Sequence, residues 1–184
     1  DVTGIPGRVS YMLQKDLLLP SKRIIDNVCL PLVLGGMSVP DARARAEPLF
    51  ERFGLAGTQR RWPDELSGGM RQRAAFLRTY LMGNDVVLLD EPFSALDALT
   101  RADMRGWYCG MAHELGIATL AITHDVDEAV TMAGRIYVLG GGPSHGEPSR
   151  VVAQVKVERP QATADAGEFA LMPEFLAAKR EVLA

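Results

Sequence analysis

Val86-Val87-Leu88-Leu89-Asp90-Glu91-Pro92 is the stretch on which the fold turns. Four apolar residues in a row, then two acids and a proline, read as a strand that leaves a buried sheet and stops. A run without polar alternation marks a strand covered on both faces, and such strands belong to parallel α/β sheets. Ligand sites in open α/β sheets lie outside the carboxyl ends of strands, so the two acids fall at such an edge. Asp90 suits a hard Mg2+ ion, usually through the ion's waters. Glu91 suits polarising an attacking water. An acid pair after a strand also serves simply to cap the next turn, and this segment alone leaves both readings open.

Working outward, the downstream pattern alternates. A helix is predicted from about Asp97 to Leu115, closed by Gly116. Ile117 to Ile122 reads as a second buried strand, followed by a helix at about 125–133 and a strand at Arg135–Leu139. This β-α-β-α-β rhythm predicts a parallel sheet with right-handed crossovers. Val151 to Val157 predicts a further strand near an edge, 158–170 a linker, and 173–183 a terminal helix opened by Pro173. Upstream, residues 9–14 read as a short strand after the Gly4/Pro6/Gly7 turn cluster. Residues 21–82 read as mostly helical. Ile24, Ile25, Val28 and Leu32 recur at helical spacing, with Pro31 as an end or kink. A second helix spans roughly 40–53, and a third runs from Ser67-Gly68-Gly69 to about Leu81. There is no internal repeat.

Composition bounds the function classes. A chain of 184 residues holds one domain, or one with a small appended lobe. With 47% hydrophobic and 23% charged residues, wholesale disorder is excluded. Twenty Lys+Arg against 23 Asp+Glu give −3, which argues against nucleic acid held by bulk charge. No apolar run approaches the ~20 residues that cross a bilayer. The best candidate, Gly116 to Thr123, is strand-sized. Asp1-Val2-Thr3-Gly4 does not open a signal peptide. Cys29 and Cys109 are too few and too far apart for a disulfide framework or a zinc site, and a reduced, cytosolic compartment fits best.

Four further features carry chemistry. Leu66-Ser67-Gly68-Gly69-Met70 opens a helix with a serine and two glycines. Amides at such a terminus bind anions, and the same residues make a plain N-cap. Ser94-Ala95-Leu96-Asp97 stands just past the acids and also reads as a cap. His124 ends the strand at Ile122-Thr123, where an imidazole can donate to a phosphate oxygen. His113 and His145 have no comparable setting. Gln14, at the end of the first strand, offers a neutral amide to a metal ion or a water, or is an exposed polar residue.

The order of these pieces is that of the ATP-binding subunits of ABC transporters. The chain resembles that family over about residues 1–140, and most specifically from Glu65 to Asp97. The resemblance implies an α/β fold: an incomplete P-loop NTPase (RecA-like) parallel sheet at about 1–14 and 85–140, with an ABC helical subdomain at about 21–82. Residues 141–184 are then a C-terminal extension with a strand and a terminal helix. It implies ATP and Mg2+ as ligands. Gln14 resembles the Q-loop glutamine, touching Mg2+ and water and sensing the membrane partner. Ser67, Gly68, Gly69 and Met70 resemble the signature motif, which meets the γ-phosphate held by the opposite subunit. Asp90 resembles the Walker B aspartate, Glu91 the catalytic glutamate, Ser94 to Asp97 the D-loop at the dimer interface, and His124 the switch histidine. Met70 departs from the commoner glutamine and is familiar in the importer branch for nitrate, sulfonates, taurine and pyrimidine precursors. The implied partners are a second ATP-binding subunit, a membrane permease and, indirectly, a periplasmic or lipid-anchored solute-binding protein, with no nucleic acid. The implied location is the cytoplasmic face of the cell membrane. Leu17-Leu18-Leu19-Pro20 is the expected contact for a coupling helix of the permease, or else buried helix packing.

The sequence contains no G-x-x-x-x-G-K-[ST]. In the family that phosphate loop precedes the Q-loop glutamine by several tens of residues, and only 13 residues precede Gln14. The expectation is an N-terminally shortened domain, inactive by itself, with open apolar strand edges and self-association or strand swapping. Two other readings remain. One is the C-terminal lobe of a split ABC ATPase of chromosome or repair machinery, which long heptad coiled coils would precede. The other is a catalytically silent module that keeps the fold for interaction.

Overall fold

The structure is a computed structural model that describes residues 7–142, 147–159 and 166–184. The turn positions Gly4 and Pro6, the loop 143–146 with His145, and the linker segment 160–165 lie outside the described residues. The chain divides into two compact units, residues 1–104 with 111–122 and residues 105–110 with 123–184. The boundary expected near residue 140 falls within a strand of the second unit.

The first unit holds a three-stranded parallel sheet in the order β1 (Ser10–Met12), β2 (Val86–Asp90), β3 (Ala118–Ile122). Ser10 pairs with Val87, and Asp90 pairs with Ile122. Between β1 and β2 come α1 (Ile24–Val28), α2 (Leu30–Leu34), α3 (Val39–Arg52), a 3-10 turn at Pro63–Glu65 and α4 (Gly68–Tyr80). Pro31 lies in the first turn of α2, where its missing N–H costs nothing, and Cys29 is the joint between α1 and α2. Ser38 caps α3 by accepting from the Asp41 amide. The helices pack on Phe50, Phe53 and Phe76, all almost fully buried. Phe53 meets Phe76 at 5.8 Å and Tyr80 at 5.7 Å between ring centroids. Asn27 is fully buried yet satisfied. It accepts from the Leu19 amide and donates to the carbonyls of Leu19, Lys22 and Arg23, tying the loop after β1 to α1.

Two expectations about the sheet need correction. β2 buries one face, Val87 and Leu89, while Val86 is 39% exposed. β3 is not a buried strand: Leu120 is 57% and Ile122 58% exposed. The reason is topological. β3 pairs only with β2 among the described residues, so its outer edge and its faces lack the layers that bury a central strand. After β2, α5 (Ala98–Leu115) leads to β3 and ends at Gly116, whose φ of +65° suits a left-handed C-cap. Residues 105–110 of this helix group with the second unit.

The second unit contains α6 (Val126–Met132), β4 (Arg135–Gly142), β5 (Glu147–Lys156), α7 (Ala166–Phe169) and α8 (Pro173–Leu183). Its core gathers Val130, Ile136, Val155, Phe169 and Phe175. Phe169 and Phe175 meet edge to face at 5.6 Å. Here too the strand rhythm misled. β4 pairs antiparallel with β5 instead of extending the parallel sheet. Strands near in sequence form a hairpin without a crossover, and apolar periodicity cannot tell the two pairings apart. At 18 residues α5 is the longest helix, and no long coiled-coil arm occurs among the described residues. No described helix is long and apolar enough to cross a membrane.

Candidate functional site

β2 delivers Asp90 and Glu91 to the carboxyl edge of the sheet. Tyr11 lies opposite Leu88 in the parallel register, and its phenol reaches two residues further to donate to Asp90 Oδ2 at 2.9 Å. The hydrogen bond, burial and the nearby carboxylate charge, in that order, raise the Tyr11 pKa. Glu91 has φ of +47°, in the left-handed region. Such a conformation in a residue with a Cβ costs about 1–3 kcal/mol and persists only when its surroundings impose it. The Glu91 amide donates to the Ile122 carbonyl at 2.9 Å. Its carbonyl accepts from the Ser94 amide at 3.3 Å and from Ser94 Oγ at 2.9 Å. Gln14 Nε2 in turn donates to Ser94 Oγ at 3.3 Å. Buried Pro92 and Phe93 anchor the turn between them. The structure thus brings Gln14, Asp90 and Glu91 together through Ser94 and Tyr11.

Ser67 caps α4 by accepting from the Met70 amide at 3.3 Å. The glycines after it have a packing duty inside the chain. A Cβ at Gly68 would stand 3.0 Å from Leu96 Cδ2, and one at Gly69 would stand 3.1 Å from Thr100 Cγ2. The bare backbone therefore lets the first turn of α4 press on the start of α5. Asp97 caps α5, accepting from the Thr100 amide at 3.1 Å and the Thr100 hydroxyl at 2.6 Å. Those bonds, the hydroxyl first, hold its carboxyl below the usual aspartate range.

The segment after Gln14 is gripped from α4. Among the described residues Leu17 is the other one besides glycine with positive φ, at +46°. Arg78 donates to the Leu17 carbonyl at 2.8 Å and the Asp16 carbonyl at 2.6 Å. Arg71 pairs with Asp16 at 3.3 Å. Burial lowers the Arg78 pKa, and Asp16 opposes that shift. One helix therefore carries residues 67–70 at its start and holds the loop behind Gln14 near its end.

His124 belongs to the second unit, exposed in the turn before α6. Its neighbour Asp125 donates from its amide to Thr123 Oγ1 and caps α6 through the Glu128 amide, both at 3.0 Å. Sequence reasoning missed Tyr11, and it missed the double bond from Ser94 to Glu91. The signal for Tyr11 was an aromatic residue inside a very short strand paired to the acid-bearing one.

The donor set at the sheet edge fits a hard divalent cation. The Asp90 carboxylate and the Gln14 amide oxygen are oxygen ligands of the kind Mg2+ takes. Among the described residues no group of three or more His, Cys, Asp or Glu could hold a metal.

Residues 2–94 match the family described as ABC transporter. The chain is 46% identical over 140 residues to the formylaminopyrimidine import ATP-binding protein ThiZ of Halalkalibacterium halodurans, covering 76% of this chain and 56% of that protein. It is 38% identical over 180 residues to the aliphatic sulfonates import ATP-binding protein SsuB 2 of Nocardia farcinica, covering 98% and 68%. The taurine import ATP-binding protein TauB of Yersinia pestis is 35% identical over 185 residues, covering 99% and 71%. The chain thus spans between just over half and about seven tenths of the length of these curated relatives. Among solved structures, the dimeric bacterial ABC transporter cassette MJ0796 superposes with a TM-score of 0.63 at 28% identity, over 83% of this chain and 64% of that one. cbiO1 of Clostridium perfringens, part of the complex cbiONQ, shares the fold with a TM-score of 0.69 at 23% identity, over 83% and 59%.

Proposed function

The chain belongs to the ABC transporter family of ATP-binding proteins, and from that premise we propose that it serves an ATP-hydrolysing subunit powering import of small solutes such as nitrate, sulfonates, taurine or pyrimidine precursors. The observation that carries the reading is the acid pair at the end of β2, with Glu91 on a left-handed turn tied to Gln14 through Ser94. Glu91 orients or deprotonates a water for attack on the γ-phosphate. Asp90 and Gln14 would hold Mg2+, which would supply neutralisation of charge on the phosphate oxygens. His124 donates to a phosphate oxygen as charge develops. Ser67, Gly68, Gly69 and Met70 present the amides of the first turn of α4 to a nucleotide held by a second copy, with Asp97 at that interface. Leu17 and Leu19, both exposed, offer apolar contact to a permease at the cytoplasmic face of the membrane. A solute-binding protein chooses the cargo, and nucleic acid has no part.

The 184 residues carry no phosphate loop, whose amides and lysine would cradle the β- and γ-phosphates. Purified by itself, this chain is expected to show no ATP turnover. A form of the chain that carries a phosphate loop, assembled with a permease in proteoliposomes, is expected to show solute-stimulated turnover. Glu91→Gln should lower that turnover by about 10²–10⁴-fold, the range for losing a general base. Turnover that survives Glu91→Gln overturns the assignment of Glu91.

A further inference from the structure

Glu91 holds a backbone conformation that glutamate does not choose, so something must impose it. Its amide is fixed by Ile122 of β3 at 2.9 Å. Its carbonyl accepts from Ser94 twice, from the amide and from the hydroxyl. A serine hydroxyl has one proton to give and two lone pairs with which to accept. Here the proton goes forward to Glu91, and a lone pair accepts from Gln14. The two bonds differ in quality. The bond to Glu91 is 2.9 Å, and the bond from Gln14 is 3.3 Å, near the limit for such a contact. The weaker contact joins Ser94 to Gln14, and the stronger one joins Ser94 to the main chain of Glu91.

We propose that Ser94 is the positioning residue of the acid pair: its hydroxyl pins the Glu91 carbonyl in the left-handed turn and passes the placement of Gln14 on to the Glu91 carboxylate. The inference rests on the reading of Glu91 as the water-orienting group. It adds how that group is held and what it is coupled to. Alanine at 94 loses both hydroxyl bonds and keeps the amide bond. Threonine keeps the hydroxyl. Valine copies the shape of threonine without it.

The test is residue-resolved hydrogen exchange and carbonyl 13C NMR on the 184-residue chain, comparing Ser94→Thr with Ser94→Val, with Ser94→Ala and Gln14→Ala alongside. The expected result is that Ser94→Val speeds exchange of the Glu91 and Ser94 amides about tenfold over Ser94→Thr, as the loss of one good hydrogen bond does. The Glu91 carbonyl signal should shift with it, while amides of α3 stay unchanged. Gln14→Ala should move the Glu91 signals in the native background and not in Ser94→Val. Equal Glu91 exchange in the Thr and Val variants overturns the proposal, because the turn is then held without the Ser94 hydroxyl. Gln14→Ala acting equally in both backgrounds overturns the coupling. If Ser94→Ala does not fold, the Thr/Val pair still decides. In the form that carries a phosphate loop Ser94→Val should lower kcat about tenfold with KM unmoved, and Ser94→Thr should restore it. Turnover that resists Glu91→Gln instead removes the catalytic reading and leaves the exchange result on Ser94 intact.

Discussion

Between Ile24 and Tyr80 the helices bury Phe50, Phe53, Phe76 and Leu77 almost completely, whereas β3, in the same unit, leaves Leu120 and Ile122 more than half exposed. The two regions are stabilised differently. The helical layer closes its own core by packing, with the Phe53 ring in contact with both Phe76 and Tyr80. The sheet edge, where the acids sit, is organised by a few directed hydrogen bonds: Tyr11 on Asp90, Ser94 on Glu91 and Gln14 on Ser94. The packed layer supplies a rigid base. The hydrogen-bonded edge fixes its groups one bond at a time.

The largest effect should come from the packed side. Phe76→Ala removes a buried ring packed against Phe53 and is expected to cost about 3–5 kcal/mol in urea unfolding. Leu120→Ala on exposed β3 should stay within about 0.5 kcal/mol. A Leu120→Ala cost as large as that of Phe76→Ala would erase the distinction between the regions.

An intermediate effect should come from Arg78, which belongs to the packed helix and grips the loop behind Gln14. Arg78→Met keeps the apolar stem and deletes two charge-assisted bonds to the carbonyls of Asp16 and Leu17. The expected loss is about 1.5–3 kcal/mol. Protease cleavage should rise at 15–19 and not within α3. Cleavage spread evenly over the helices would mean that Arg78 supports the core and not the loop.

Much of this was legible in the sequence because its signals are local. Ser67 and Asp97 declare caps three residues ahead of the amides they serve. Pro31 marks the break between α1 and α2, and four apolar residues followed by two acids mark the end of β2. The place of the acid pair at the end of that strand was legible for the same reason. What was not legible is long-range. Tyr11 and Asp90 are 79 residues apart, and Gln14 and Ser94 are 80 apart, so only the β1–β2 register makes them neighbours. The exposure of β3 and the antiparallel turn of β4 follow from which strand lies beside which. Hydrophobic patterning reports that a strand exists and not who its neighbour is. The packing duty of Gly68 and Gly69 was hidden likewise, because Leu96 and Thr100 meet them only after α4 and α5 pack.

The smallest effect separates the regions by acid. α4, rooted in the packed layer, is capped by Ser67, which does not titrate. α5, which leaves the sheet edge, is capped by Asp97, which does. Two bonds from Thr100, the hydroxyl first, hold the Asp97 carboxyl below the usual aspartate range. A folded pKa below the unfolded one means that the cap stabilises α5 in full above the unfolded value. That contribution is lost as pH falls through the folded pKa. As pH falls below the ordinary aspartate range the Thr100 amide resonance should therefore titrate, and the Met70 amide should stay still. Asp97→Asn keeps a good cap without a titrating group and should abolish the Thr100 response. If both amides move together in acid, the caps share one unfolding event, and the packed layer and the sheet edge are not separable in stability.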